Sequence, residues 1–176
     1  MLDIQKKQIN LHDDGLNPLD CAEEIMTNND WLYDRESDAE MSVTLSGEFG
    51  DYIMNFNWQE EYSALQFCCR LDMNISATYY KAAVRILNKI NRNLWLGHFD
   101  LIEDESCVGT YIPRFRHTTL MREQNNIAVL PAIEDLVDVA LHECERHFTA
   151  FSLLHDATPH SSQNMALALM DVAGRS

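Results

Sequence analysis

The chain is short of the residues that build glycine loops, disulfide frameworks and basic surfaces. It holds 6 glycines, 4 prolines and 5 cysteines in 176 residues. Neither G-x-x-x-x-G-K nor G-x-G-x-x-G occurs among those glycines, which excludes the nucleotide sites built on such loops. No G-x-S-x-G turn is present to expose a nucleophilic serine. Cys21, Cys68, Cys69, Cys107 and Cys144 are odd in number and scattered, the pattern of a reduced compartment rather than of a disulfide scaffold. Basic residues are scarce: 13 Lys and Arg stand against 28 Asp and Glu, a net charge of −15. A polyanion repels nucleic-acid phosphates and anionic lipid, so neither nucleic acid nor membrane is an expected partner. No apolar run approaches the roughly 18 residues of a membrane span. The opening MLDIQKKQINLHDD lacks the apolar stretch of a signal peptide, and the expected location is the cytoplasm.

What is present describes one globular domain. The chain is 46% apolar, and at 176 residues it can bury a core without staples. Residues 1–16 are polar and without apolar period, a loose segment ahead of a domain over 17–174. There are no internal repeats and no linker.

Asn17-Pro18 has the form of a helix cap followed by a proline at the first helical position. Leu19, Ala22, Ile25 and Met26 then make a stripe that ends near Asn28-Asn29. A short strand is expected at 31–34. Met41, Val43 and Leu45, then Tyr52, Met54, Phe56 and Trp58, then Leu65, Phe67, Cys69 and Leu71 alternate with polar residues. Such period-two runs joined by short turns predict an antiparallel meander with one buried face and one wet face.

The most clearly patterned stretch is 77–101, expected to be a long helix over 77–95 that turns at Gly97 into a buried strand. At about 100° per residue, Tyr79, Ala83, Ile86, Leu87, Ile90 and Leu94 share one arc, and Lys81, Arg85, Lys89 and Arg92 another. Ser76 stands at the N-cap position. This helix is expected to cross the buried face of the sheet as the organising element. Strands at 99–103 and 109–122 follow, separated by the acidic turn EDES. A third helix opens at Pro131, with Cys144 in its apolar stripe and Glu134, Asp135, Asp138, Glu143 and Glu145 outside. A last short helix is expected over 163–172. The predicted fold is α+β, an antiparallel sheet with helices packed on it, in the order α-β-β-β-β-α-β-β-α-α.

Candidate chemistry is thin. The run LHECERH contains His142, Cys144 and His147, but a zinc helix needs two histidines four apart on one face. These are five apart, roughly 140° around the helix. Cys144 beside His147 suggests a thiolate couple, yet its place in the apolar stripe makes it a core thiol. The paired acids at Asp13-Asp14, Glu60-Glu61 and 103–105 lie in polar turns and read as solvated. No catalytic residue, metal ligand or cofactor is assigned.

Surface features carry the functional expectation. Arg114 and Arg116 alternate with Phe115, so a buried Phe115 places both on the open face of the sheet. There they either neutralise neighbours such as Asp72 or hold a partner's carboxylates. Tyr80, Val84 and Trp95 widen the apolar arc of the 77–95 helix beyond one packed face, the mark of burial against a second molecule. They are the expected surface of a homodimer or of contact with an unidentified protein client.

Asn29-Asp30-Trp31 with Tyr33-Asp34-Arg35, the block at 94–101 (LWLGHFDL), Phe115-Arg116-His117 and Glu143-Cys144-Glu145-Arg146 resemble the bacterial YbjN family. The likeness runs from about Asn17 to Phe151. That family is described as sensory transduction regulators, and its fold looks like that of type III secretion chaperones, small acidic homodimers that bind an extended client segment. The resemblance implies no enzyme activity and no cofactor. The added strand near Trp31 and the helix after Asp156 depart from the chaperone pattern. The first reading is therefore a non-enzymatic, chaperone-like or regulatory protein-binding module. The second is a small-molecule sensor or enzyme with a pocket between the 77–95 helix and the sheet, lined by Tyr52, Trp58 and His98. A third is a structural subunit in a fixed complex.

Overall fold

The computed structural model describes residues 17–121 and 126–155. Asn17 caps α1 (Pro18–Asn28): its side-chain oxygen accepts from the Leu19 N–H at 3.0 Å, and Pro18 takes the first helical position, where no N–H is needed. Leu19, Ala22, Ile25 and Met26 are buried, as their spacing predicts.

Seven antiparallel strands form one sheet: β1 (Tyr33–Arg35), β2 (Glu40–Gly47), β3 (Gly50–Gln59), β4 (Ala64–Leu71), β5 (Ile75–Ser76), β6 (His98–Glu103) and β7 (Thr110–Leu120). The order is β1-β2-β3-β4-β7, with β5 and β6 both paired to β7. Tyr111 pairs with Ile75 and also with Glu103, so β5 and β6 lie on opposite edges of β7. β5 therefore continues the edge taken by β4, and β6 is an outer strand. A 3-10 turn (Ala77–Tyr79) leads into α2 (Tyr80–Asn91), and α3 (Asn126–His155) follows β7.

The α+β class and the alternating meander are as expected. Val43, Met54, Cys69, Phe115 and Phe99 form one inward row across five strands, each residue opposite the next and all buried. Their sequence neighbours face the other way.

Several boundaries differ from the sequence reading, each for a local reason. β1 begins at Tyr33 because the Trp31 N–H is taken by the Met26 carbonyl at 2.9 Å, which makes Trp31 part of the exit from α1. β5 has two residues, too few to show a period. Ser76 does act as a cap, accepting from the Thr78 N–H at 3.3 Å, but it caps the 3-10 turn. α2 stops at Asn91 rather than reaching Trp95, and the Asn93 N–H closes back on the Ile90 carbonyl at 2.9 Å. α3 opens before Pro131 and carries that proline inside, at the loss of one ladder bond. The helix expected over 163–172 and the loose segment 1–16 lie outside the described residues.

The organising helix is α3, not α2. α3 has 30 residues and α2 has 12, so by rise per residue they are about 45 and 18 Å long. With strands about 4.8 Å apart, α3 is the described helix long enough to cross the sheet. It packs on β4, β5 and β7 and is flanked by α1 and α2, while α2 sits on β5 and β6 at one end. Phe151 of α3 packs on Phe99 with ring centroids 5.6 Å apart, and Phe148 stacks on Phe49 from the β2–β3 turn at 4.9 Å.

Candidate functional site

The end of α2 delivers Trp95 to the surface. Beyond Asn91 the chain turns through 92–97, and Gly97 takes φ +66°, the left-handed conformation its place in the sequence suggested. Trp95 is left 77% exposed. It stands at a groove of about 250 Å³ lined by Leu96, His117, Thr119, Ala132, Leu136 and Val139, with Asp135 at the same site. The walls are apolar side chains of α3 and the inward face of β7. Burial, with His98 nearby, holds the His117 imidazole below its ordinary pKa.

Trp95 is thus not on the flank of α2 that carries Tyr80 and Val84. Those two lie in the first turns, about 16 Å (Tyr80) and about 10 Å (Val84) along the axis from the end of α2 at Asn91. They are 40% and 42% exposed, and the Tyr80 ring is already engaged with Tyr111, centroids 4.6 Å apart. The single wide arc expected from the sequence divides into two separate surfaces.

Arg114 and Arg116 lie on the open face of the sheet, since Phe115 between them is fully buried. Their counter-ion is Asp100, directly opposite Arg114 on β6, and not Asp72. Arg114 Nε donates to Asp100 Oδ1 at 2.9 Å and its Nη2 to Oδ2 at 2.7 Å, while Arg116 Nη1 reaches Oδ2 at 3.3 Å. Burial alone would raise the Asp100 carboxyl, but the hydrogen bonds and charges of the two guanidiniums outweigh it and hold the group below the usual carboxylate range.

Sequence reasoning missed a third arginine. Arg70 of β4 stands directly opposite Arg114 on the other side of β7. Among the described residues it makes no hydrogen bond or ion pair, and its Nε is buried without a partner. It lines a hollow of about 170 Å³ with Asp72, Asn74, Asp104 and Ser106. Alternation along β4 already placed Arg70 outward with Gln66 and Cys68. What periodicity could not supply is the cross-strand register.

The LHECERH run is a packing feature with one surprise. His142 is exposed and Cys144 fully buried, as the stripe predicts. Glu143, expected outside, is only 4% exposed, and His147 is buried beside it. Their Oε2 and Nε2 are 3.4 Å apart, one helical turn along α3, and Arg146 Nη1 lies 3.6 Å from Glu143 Oε1. α1 and α2 both contact α3, so it buries a wider arc than a helix resting on a sheet alone. Burial lowers the His147 pKa against the opposing pull of Glu143, and the Phe99 ring meets the imidazole edge-on at 5.9 Å. The neighbouring Cys69 thiol together with burial pushes the Cys144 thiol well up, away from nucleophilic thiolate. Among the described residues no three His, Cys, Asp or Glu side chains converge as a metal site.

The residues named for a helix–sheet pocket are not brought together. Tyr52 and Trp58 occupy opposite ends of β3, and His98 faces the other side of the sheet. The buried face of α2 is filled by Ala83, Ile86, Leu87 and Ile90. Tyr52 instead lies under α3, where burial and Glu145 push its phenol up to about 12.

Among the described residues, one sheet face covered by three helices, one open face bearing arginines, and an apolar groove where α3 meets β7 define the class: an α+β domain known through its surfaces. The chain belongs to the YbjN family, whose profile, described as "Putative bacterial sensory transduction regulator", matches residues 18–153. Among solved structures, the crystal structure of YbjN from E. coli, described as "a putative transcription regulator", superposes with a TM-score of 0.50 at 10% identity. The match covers 73% of this chain and 92% of that one, and at such identity it speaks for the fold alone. No curated protein matches in sequence. No helix among the described residues is long and apolar enough to cross a membrane.

Proposed function

We propose that this YbjN-family domain is a non-enzymatic regulatory module that acts by binding protein. The Trp95 groove seats an apolar segment of a protein client, and the Tyr80–Val84 face joins two copies into a homodimer. The observation that carries the reading is Trp95 itself: a tryptophan 77% exposed at the lip of an apolar groove is the form of an interface anchor. A net charge of −15 keeps such a surface soluble and disfavours direct contact with DNA, so regulation through a protein partner fits better than regulation through an operator. The chaperone-like fold implied by the sequence resemblance points the same way, toward an extended client rather than a substrate.

The test separates the two halves. Light scattering on the intact chain should give a mass of twice 20.3 kDa, and Val84→Glu should return it to 20.3 kDa. On an array of apolar peptides the wild type should retain a subset, and Trp95→Ala should lose it with its melting curve unchanged. A wild-type monomer removes the dimer. Equal peptide binding by Trp95→Ala removes the groove.

A further inference from the structure

The open face of the sheet gathers three guanidiniums around one ion-paired carboxylate. In a chain with 28 acids and 13 bases, Arg70, Arg114 and Arg116 occupy adjoining positions on one flat surface. Among the described residues, the carboxylate ion-paired with any of them is Asp100. Read across the strands, one row runs Asp100, Arg114, Arg70, and the row beside it His98, Arg116, Cys68. Like charges directly opposite each other on a sheet repel. Asp100 relieves Arg114 from the β6 side, and nothing relieves Arg70 from the β3 side, where its neighbour is Ile53.

Arg70 is near acids that make no ion pair with it, although its charge helps to hold the Asp104 carboxyl below the usual range. Asp104, in the same hollow, accepts from the Ser106 N–H at 2.9 Å and from its hydroxyl at 2.6 Å, and it also accepts from Asn74. Its carboxylate is engaged by those donors, and the Arg70 Nε is buried with no hydrogen-bond partner among the described residues. Guanidinium is a planar fork whose best complement is an oxyanion held by two parallel bonds.

We propose that this face binds an extended acidic segment of a partner protein, with carboxylates at alternate positions placed against Arg70, Arg114 and Arg116. Arg114 and Arg116 are two residues apart on one strand, about 7 Å, which is also the spacing of alternate residues in an extended peptide. Single-charge carboxylates suit the site better than a phosphate dianion, because Asp72 and Asp104 border the Arg70 hollow. A long nucleic acid would in addition meet the net −15 of the chain. The surface lies on the side of the sheet away from the helices, so the proposal is independent of the Trp95 groove.

The experiment uses the full chain and a fluorescein-labelled peptide with four glutamates at alternate positions, followed by anisotropy. The matched glutamine peptide is the control. The glutamate peptide should bind at least 10-fold more tightly than the glutamine peptide and weaken several-fold between 50 and 300 mM NaCl. Arg70→Gln and Arg116→Gln should each weaken it about 10-fold, while Trp95→Ala leaves it unchanged. Thermal melts of the Arg→Gln variants show whether they remain folded, and Arg70→Lys, which keeps charge without the fork, should recover only part of the loss. Equal affinity for the two peptides, or wild-type affinity in both Arg→Gln variants, overturns the proposal. So does displacement of the peptide by low-millimolar inorganic phosphate, or tighter binding of a labelled single-stranded oligonucleotide than of the peptide.

Discussion

The side-chain amide of Asn91 stands in for a neighbouring strand at Phe99. Its Nδ2 donates to the Phe99 carbonyl at 2.9 Å and its Oδ1 accepts from the Phe99 N–H at 2.7 Å. One residue thereby satisfies both outward backbone groups at that point of β6, an outer strand, and ties the last turn of α2 to the sheet. Asn91→Ala should lower unfolding stability by about 2–3 kcal/mol, the worth of two hydrogen bonds plus the cost of leaving half-buried backbone groups unpaired. The neighbouring Asn93 makes a single 3.4 Å bond to the Lys89 carbonyl from an exposed position, and Asn93→Ala should cost less than about 0.5 kcal/mol. Urea melts of the two variants check the contrast.

Two glycines with positive φ should respond differently to alanine. At Gly97 a Cβ would collide with the Phe115 ring and come within 2.7 Å of the Arg116 carbonyl oxygen, in a backbone at φ +66°. At Gly109, φ +83°, a Cβ meets nothing within 4 Å. Gly97→Ala should therefore cost about 3 kcal/mol or more, strain and overpacking together, and Gly109→Ala only about 1 kcal/mol of backbone strain. Thermal melts of both variants decide it. Equal losses would mean that the turn at 92–97 can shift away from β7.

The arginine face predicts opposite signs for two substitutions. Asp100→Asn removes the counter-ion of Arg114 and Arg116 and should destabilise by about 1–3 kcal/mol, since Asp100 is largely screened from solvent. Arg70→Gln removes a cation facing another cation and should stabilise by about 0.5 kcal/mol. A loss on Arg70→Gln comparable to that of Asp100→Asn would show that the Arg70 stem packs more than its charge repels.

Stability should fall on mild acidification. His147 and His117 are both held below the ordinary histidine pKa, chiefly by burial. Between each folded value and about 6.5 the unfolded chain binds a proton that the folded chain does not, so stability rises with pH across that window. It is fully present above about pH 6.5 and declines as pH falls below it. Urea midpoints at pH 7.5 and 5.5 should differ, and His147→Gln should reduce the difference. Asp100 adds to the loss at lower pH, because its folded pKa lies below the unfolded one and its contribution disappears as pH falls through the acid range.

Much of the architecture was legible because it is local. Alternation in 41–45, 52–58 and 65–71 named the inward side chains, and Tyr52, Met54, Phe56, Phe67 and Cys69 are buried where that period puts them. The Asn17-Pro18 start, the Gly97 turn, the core position of Cys144 and the outward placement of Arg114 and Arg116 follow from the same short-range rules. The candidate surface was only half legible. Tyr80, Val84 and Trp95 are exposed as expected, but a helix continued by eye to residue 95 joined what the chain separates.

The sequence by itself determined the α+β class, the faces of the strands and the family, because periodicity and capping act within a few residues. Tertiary structure alone decided that α3 covers the sheet, that Glu143 turns inward, that Asp100 neutralises Arg114, and that Arg70 faces Arg114 unpaired. These outcomes depend on register and on which helix reaches across the sheet. Both are set by the free energy of burying one whole apolar face against another, a quantity no local window contains.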